Sequence, residues 1–331
     1  VSVETMSPTG RNLKHIVRAL IGSQEFAVLI GLVAICAFFA LATPTFLTWF
    51  NVFQNLRQIA MLGIIATGMT FVIAMGEIDI SVGSTYNLAA NIMAILIAKA
   101  TFDPAAAAFV ALLVGLLAGV ANGLLAVVLR LPTLIVTLGT LSLYRGLTIL
   151  ISGGLSIGNL PESSFYELGS GGIGLIPYIA LVALAISVAA GWALRNTIFA
   201  RQVLAIGSNV RAAQRTGIRI GLRKIQVMAI SGLLCGIAAV LGMSYLRSAS
   251  PQSGVGFELL AIAAVVVGGT PMQGGTGTVW GTLIGIALIV IIQDGLILLG
   301  LPATWQITAT GAMILLAVAI QQIVRKRMLS R

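Results

Sequence analysis

Runs of apolar residues, most close to 20 positions long and separated by short polar or Gly/Pro-rich breaks, dominate the chain from Phe26 onward. A helix rises 1.5 Å per residue, so about 20 apolar residues cross the hydrocarbon core of a bilayer. Ten segments of this kind are predicted, at roughly 26–43, 56–75, 82–101, 105–129, 131–151, 175–195, 224–247, 255–268, 279–299 and 304–323. Most are continuous and about twice the length of the roughly ten-residue alternating strands of a membrane barrel. They therefore predict helices, which satisfy their backbone polar groups within the segment. The eighth is shorter and ends in Gly268-Gly269-Thr270-Pro271, which predicts a partial or broken span. The expected fold is an all-α integral membrane protein of about ten transmembrane helices, some short or broken. It consists of a polar tail over 1–25 and a single transmembrane domain over 26–327.

Composition agrees with this pattern. Of 331 residues 58% are hydrophobic and only 8% charged, against about 25% charged in soluble domains. Charge then sets the orientation. Basic residues concentrate in segments that retain them on the cytoplasmic side: Arg11, Lys14 and Arg18 in the tail, Arg130, seven between Arg195 and Lys224, and Arg325, Lys326, Arg327 and Arg331 at the end. With both termini cytoplasmic, fifteen of the 19 basic residues lie inside, leaving Arg57, Lys99, Arg145 and Arg247. The loop over 152–174 is then external. The net charge of +10 is accounted for by this asymmetry, and no nucleic-acid partner is expected. Residues 1–25 show no small-residue cleavage site behind a short apolar core, so they are read as an uncleaved cytoplasmic tail.

Candidate chemistry is sparse. No glycine-rich loop ends in Gly-Lys-Ser or Gly-Lys-Thr, so no phosphate cradle is expected. The single histidine, His15, lies in the tail, and Cys36 and Cys235 sit in apolar runs without metal or redox spacing. No catalytic set or metal cluster is expected. Glu77, Asp79 and Asp294 read as near span ends, and Arg145 as a snorkelling or structurally paired cation. The polar break Gly76 to Ser81 leads into a span with Asn87 and Asn91 four apart on one face. This makes Asp79, Ser81, Ser84, Asn87 and Asn91 candidates to line a pathway, although amides and hydroxyls at such positions also tie helices together. The stretch Gly268 to Gly277 reads either as a turn or as a break framing a pathway. Gly115, Gly119 and Gly123 repeat at the small-xxx-small spacing and predict close packing within the chain.

Four segments together resemble one family. GEIDISVGS (Gly76 to Ser84), LIVTLGTLSLYRG (Leu134 to Gly146), AIGSNVRAAQRTGI (Ala205 to Ile218) and AVVVGGTPMQGGTGTVWGT (Ala264 to Thr282) are similar to motifs of the sugar-type permeases of bacterial ABC importers, the branched-chain amino acid/ribose permease family. Glu77 departs from the more frequent glycine and Ile80 from leucine. The resemblance implies a permease domain that works as two copies around one pathway. It also implies a cytoplasmic ABC ATPase that carries ATP and Mg, a periplasmic solute-binding protein, and a place in the bacterial inner membrane. No cofactor is then expected in this chain. It further implies that a coupling loop within 196–223 docks on the ATPase, with Gly207, Asn209, Ala212, Ala213, Gly217 and Ile218 as its motif residues. Residue chemistry fits that role: Asn209 is placed to cap a helix beginning near Val210, and Gly217 to end it. The expected function is the permease subunit of an ATP-driven importer of a monosaccharide or similar hydroxylated solute. An ion-coupled secondary transporter is the alternative.

Overall fold

The computed structural model describes residues 24–174, 176–302 and 304–329. The tail over 1–25 therefore lies almost wholly outside the described residues. The structure is nearly all helical. In chain order the helices are α1 (Gln24–Ala42), α2 (Trp49–Ala74), α3 (Val82–Ala100), α4 (Pro104–Val128) and α5 (Thr133–Ser152). A 3-10 turn (Ser164–Tyr166), the one-turn α6 (Glu167–Ser170) and an antiparallel pair, β1 (Gly172–Ile173) with β2 (Ile176–Pro177), follow. Then come α7 (Tyr178–Asn196), α8 (Ile198–Ser208), α9 (Val210–Arg215), α10 (Ile220–Leu246), α11 (Phe257–Val267), α12 (Val279–Leu298) and α13 (Thr304–Leu329).

Each of the ten predicted apolar segments falls on a helix. Among the described residues seven helices are long and apolar enough to cross a membrane: α1, α2, α4, α5, α7, α10 and α12. Helix α3 has 19 residues, but its Asn87, Asn91 and hydroxyl side chains place it outside that set. Helix α11 has only 11 residues. Helices α2 and α10 begin earlier than the apolar pattern predicts. Asn51, Gln54 and Asn55 make the start of α2 look polar, yet each has a partner. Asn51 Nδ2 and Asn55 Nδ2 both donate to Asp294 Oδ2 at 2.8 Å, and Gln54 Oε1 accepts from Tyr245 Oη at 2.9 Å.

The bundle is organised around α10, which packs antiparallel to α4 and also touches α2 and α3. Backbones replace side chains at the α4–α10 contact. A Cβ on Gly115 would lie 2.4 Å from the Gly232 oxygen, one on Gly119 2.2 Å from the Met228 oxygen, and one on Gly232 2.2 Å from the Gly115 oxygen. Apolar side chains gain nothing by leaving lipid for another apolar surface, so close van der Waals packing of this kind carries helix association in a bilayer. The predicted small-residue repeat is thus a seam within one chain.

Two stretches of irregular backbone enter the bundle from opposite ends. At the end that carries the basic segment, called here the basic end, Gly76 turns the chain with φ +82° and residues 76–81 run inward. They reach Ser231, eleven residues and about 17 Å along α10 from its start. From the far end, residues 247–256 fold back along α3, and Asn87 Nδ2 and Asn91 Nδ2 donate to Pro251 O (2.6 Å) and Ser250 O (3.3 Å). The two stretches place the starts of α3 and α11 against each other: a Cβ on Gly83 would lie 2.3 Å from Gly254 O. Helix α11 then returns to the basic end, where residues 268–278 form a loop rather than a second break in a span.

The seam gives a direct test. Gly119→Ala inserts a methyl group where none fits and is expected to destabilise the protein by about 1–3 kcal/mol. Thermal unfolding in detergent reads this as a lowered midpoint. Gly139→Ala, at a position on α5 where a Cβ meets nothing within 4 Å, is expected to leave the midpoint unchanged or raise it.

Candidate functional site

The basic segment folds as two helices joined at Asn209. Helix α8 is amphipathic, with Ala200, Val203 and Ile206 buried against the bundle. Asn209 is extended (φ −161°, ψ 100°), and its Oδ1 accepts from Ala212 N at 3.0 Å, which caps α9 as the sequence predicts. The end of α9 also follows the prediction. Gly217 is left-handed (φ +82°), and Ile218 N donates back to Ala213 O at 3.3 Å. Within α9 the two alanines face opposite ways. Ala213 is buried in its own chain, whereas Ala212 is exposed beside Val210, Arg211, Gln214 and Arg215. Spacing in a six-residue helix does not fix which face turns inward, so only the structure separates them.

Several contacts weld this pair of helices to the bundle. Arg223 Nε donates to Gln202 Oε1 and its Nη1 to Gln226 Oε1, both at 2.6 Å, and its guanidinium lies 5.6 Å from the centre of the Phe199 ring. Lys224 pairs with Glu77 at 2.6 Å, the one ion pair among the described residues. Gly207 sits at a three-way junction, where a Cβ would lie 2.1 Å from Ala74 O and 2.5 Å from Gly275 N. There Gly275 N donates to Ala74 O at 2.9 Å, and the turn at Gly76 packs on Gln273. The end of α8, the end of α2 and the 268–278 loop thus meet through backbone. Five of the seven basic residues, Arg195, Arg201, Arg211, Arg215 and Arg219, remain exposed on this end.

From the junction residues 76–81 lead to a buried polar network. Asp79 Oδ1 accepts from Ser81 N (2.9 Å) and Ser81 Oγ (2.6 Å), and its Oδ2 accepts from Ser231 Oγ at 3.3 Å. Asn122 Nδ2 donates to Ser81 Oγ at 2.8 Å, and Tyr144 Oη donates to Asn122 Oδ1 at 3.0 Å. The chain of bonds runs Ser231–Asp79–Ser81–Asn122–Tyr144 and joins α10, α4 and α5 to the entry of α3. All five side chains are buried. Such a carboxylate among apolar helices is tolerated because every bond it accepts is supplied from the protein.

The structure therefore brings Asp79 and Ser81 together, with Ser84 Oγ donating to Ser81 O at 2.8 Å one turn on. Asn87 and Asn91 share a face, as predicted, and Asn91 Nδ2 also donates to Asn87 Oδ1 at 2.7 Å. They serve the 247–256 stretch rather than the Asp79 network. Sequence reasoning missed Ser231, Gln202, Gln226 and the Glu77–Lys224 pair. Glu77 carried a local signal in standing where glycine is more frequent, but its partner lies 147 positions away, beyond any sequence periodicity.

With this geometry in place, similarity to known proteins becomes informative. Residues 51–318 match the family model described as branched-chain amino acid transport system / permease component. The chain is similar to the ribose import permease protein of Bacillus subtilis, at 36% identity over 300 residues, which cover 90% of this chain and 93% of that one. It is similar to the autoinducer 2 import system permease protein of Yersinia pseudotuberculosis, at 38% over 266 residues, 80% of this chain and 75% of that one. It is also similar to the L-arabinose ABC transporter permease protein of Azospirillum brasilense, at 35% over 283 residues, 86% of this chain and 83% of that one. No solved structure matches it. The match spans α2 to the middle of α13 and includes the welded basic end and the Asp79 network alike, and the chain belongs to the family of branched-chain amino acid transport system permease components.

Proposed function

We propose that this chain is the permease subunit of an ATP-driven importer, forming the translocation pathway for a monosaccharide or similar small hydroxylated solute. The observation that carries the reading is the continuous connection from α9 through the Gly207–Ala74–Gly275 junction to the Asp79 network. An exposed helix at one end of a membrane protein transmits movement only if it is rigidly joined to the membrane-embedded core, and here it is. The relatives named as permeases for ribose, autoinducer 2 and L-arabinose support the solute class. In this reading the basic end faces the cytoplasm, with both termini on that side, and ten helical segments are membrane-embedded. The membrane is the bacterial inner membrane. Helix α9 docks on an ABC ATPase, which binds ATP and Mg. A binding protein delivers solute to the far end, and a second copy of the chain completes the pathway. Asp79, Ser81, Ser84, Asn87 and Asn91, expected from the sequence to line that pathway, are buried within the chain and in this reading brace its wall from behind through the bonds described above. The ion-coupled alternative would rest on Asp79 as the coupling carboxylate. Uptake by the chain alone, driven by an ion gradient, would establish it in place of the ATP-driven reading.

The docking face is tested on α9. Ala212→Glu, on the exposed face, is expected to reduce ATPase recovery or solute-stimulated ATP hydrolysis in the reconstituted complex without lowering the permease's own unfolding midpoint. Ala213→Glu, on the buried face, is expected to lower that midpoint. Gly217→Val is expected to cost about 1–2 kcal/mol for its left-handed backbone, with Gly217→Asn better tolerated. Parent-like coupling in Ala212→Glu would leave α9 as a topology signal only.

The wall is tested by Asp79→Asn and Asn87→Leu. Each removes a buried polar contact worth about 1–3 kcal/mol, and each is expected to depress uptake while the complex still assembles. Normal uptake in both would remove these residues from the pathway.

A further inference from the structure

A cavity of about 240 Å3 opens at the far end of the bundle, between the first turns of α2 and the last turn of α10. Gln54, Arg57, Gln58, Met61, Ile179 and Tyr245 line it. It is smaller than the roughly 300–1,000 Å3 of pockets for drug-sized ligands, so its occupant is a small solute.

Arg57 is fixed in this cavity. Its guanidinium carbon lies 4.3 Å from the centre of the Phe53 ring and 4.5 Å from that of Tyr245. Nη1 donates to Gln54 Oε1 at 3.2 Å, the same oxygen that accepts from Tyr245 Oη, and Nη2 donates to Ser170 O. Nε is buried without a hydrogen-bond partner. No carboxylate neutralises the group, because the only ion pair among the described residues joins Lys224 to Glu77. A guanidinium has five N–H donors, and aromatic faces and carbonyl oxygens hold this one in a single orientation with donors to spare. Gln58 adds an exposed amide that both donates and accepts. Met61 and Leu246, which also borders the cavity, add apolar wall.

We propose that this cavity is a solute-contact site that takes a polyhydroxylated molecule of monosaccharide size on its way into the bundle. Hydroxyl and ring oxygens accept from the Arg57 fork, the Gln58 amide reads a neighbouring hydroxyl, and the C–H face of the solute rests on Met61 and Leu246. A rigid donor fork, a two-way amide and an apolar wall together match a solute whose polar and apolar faces differ. This assignment rests on the permease reading, and it places one point of solute selection within this chain, in addition to any selection by a binding protein.

The test uses the assembled importer, permease with ATPase and binding protein, in proteoliposomes, with D-ribose, L-arabinose and autoinducer 2 as probes. Gln58→Met keeps the side chain's length and removes the amide. Arg57→Lys keeps the charge and removes the fork. For the probe that the parent moves, both are expected to lower solute imported per ATP hydrolysed by about tenfold, with the yield of complex unchanged. Parent-like import in both variants overturns the site and leaves the permease reading standing. A loss confined to Arg57→Lys also overturns it, because it marks a brace between α2 and α10 rather than a contact with solute. A parent complex that moves none of these probes and no other pentose or hexose overturns the permease reading, and the site with it.

Discussion

The backbone-to-backbone contact of α4 and α10 fixes the register on which the rest of the molecule depends. Helix α10 carries Arg223 and Lys224 near its start, Ser231 well inside the bundle and Tyr245 at its far end. Helix α4 carries Asn122, which completes the Asp79 network. Sliding the two helices by one turn, about 5.4 Å, would break the Ser231–Asp79 and Asn122–Ser81 bonds together. Glycine at Gly115, Gly119 and Gly232 leaves room for one alignment only. In a bilayer, where no hydrophobic gain rewards association as such, that steric precision decides which polar groups find each other.

The basic end and the buried network form one mechanical unit. Helix α9 joins α8 at Asn209 and packs on the bundle through buried Ala213, and α8 is clamped by Arg223 and by the Gly207 junction. The junction adjoins both the turn at Gly76 and the loop over 268–278, which lead to α3 and α12. The basic end is therefore joined to two separate helices of the core. Asp79 sits where the first of these routes enters the bundle, and its three accepted bonds make that entry resistant to independent movement.

Much of this was legible in the sequence. The apolar runs fell on helices, seven of them long and apolar enough among the described residues to cross a membrane, the Gly repeat marked a close contact, and Asn209 and Gly217 marked the ends of α9. What stayed hidden has physical reasons. The stretch over 247–256 is rich in Ser, Gly and Pro and reads as an ordinary surface loop. Its partly buried course is held by Asn87 and Asn91, which satisfy its carbonyls from α3, and by paired backbone bonds between Ala249 and Ile157. The early start of α2 was masked because Asn51 and Asn55 are polar by type, and their partner Asp294 is more than 230 positions away. Apolar periodicity reports which positions avoid water. It carries no information about which distant polar group answers a given amide.

The meeting of the α3 and α11 starts has an electrostatic consequence. Each helix N-terminus carries about half a positive charge, and the two lie together at Gly83 and Gly254. Each is matched by an acid of its own, Asp79 beside the start of α3 and Glu258 in the first turn of α11. Two helix N-termini that would otherwise repel each other thus each have an acidic side chain beside them. The two acids are thereby what lets a pair of helices begin head to head inside a bundle of apolar sequence.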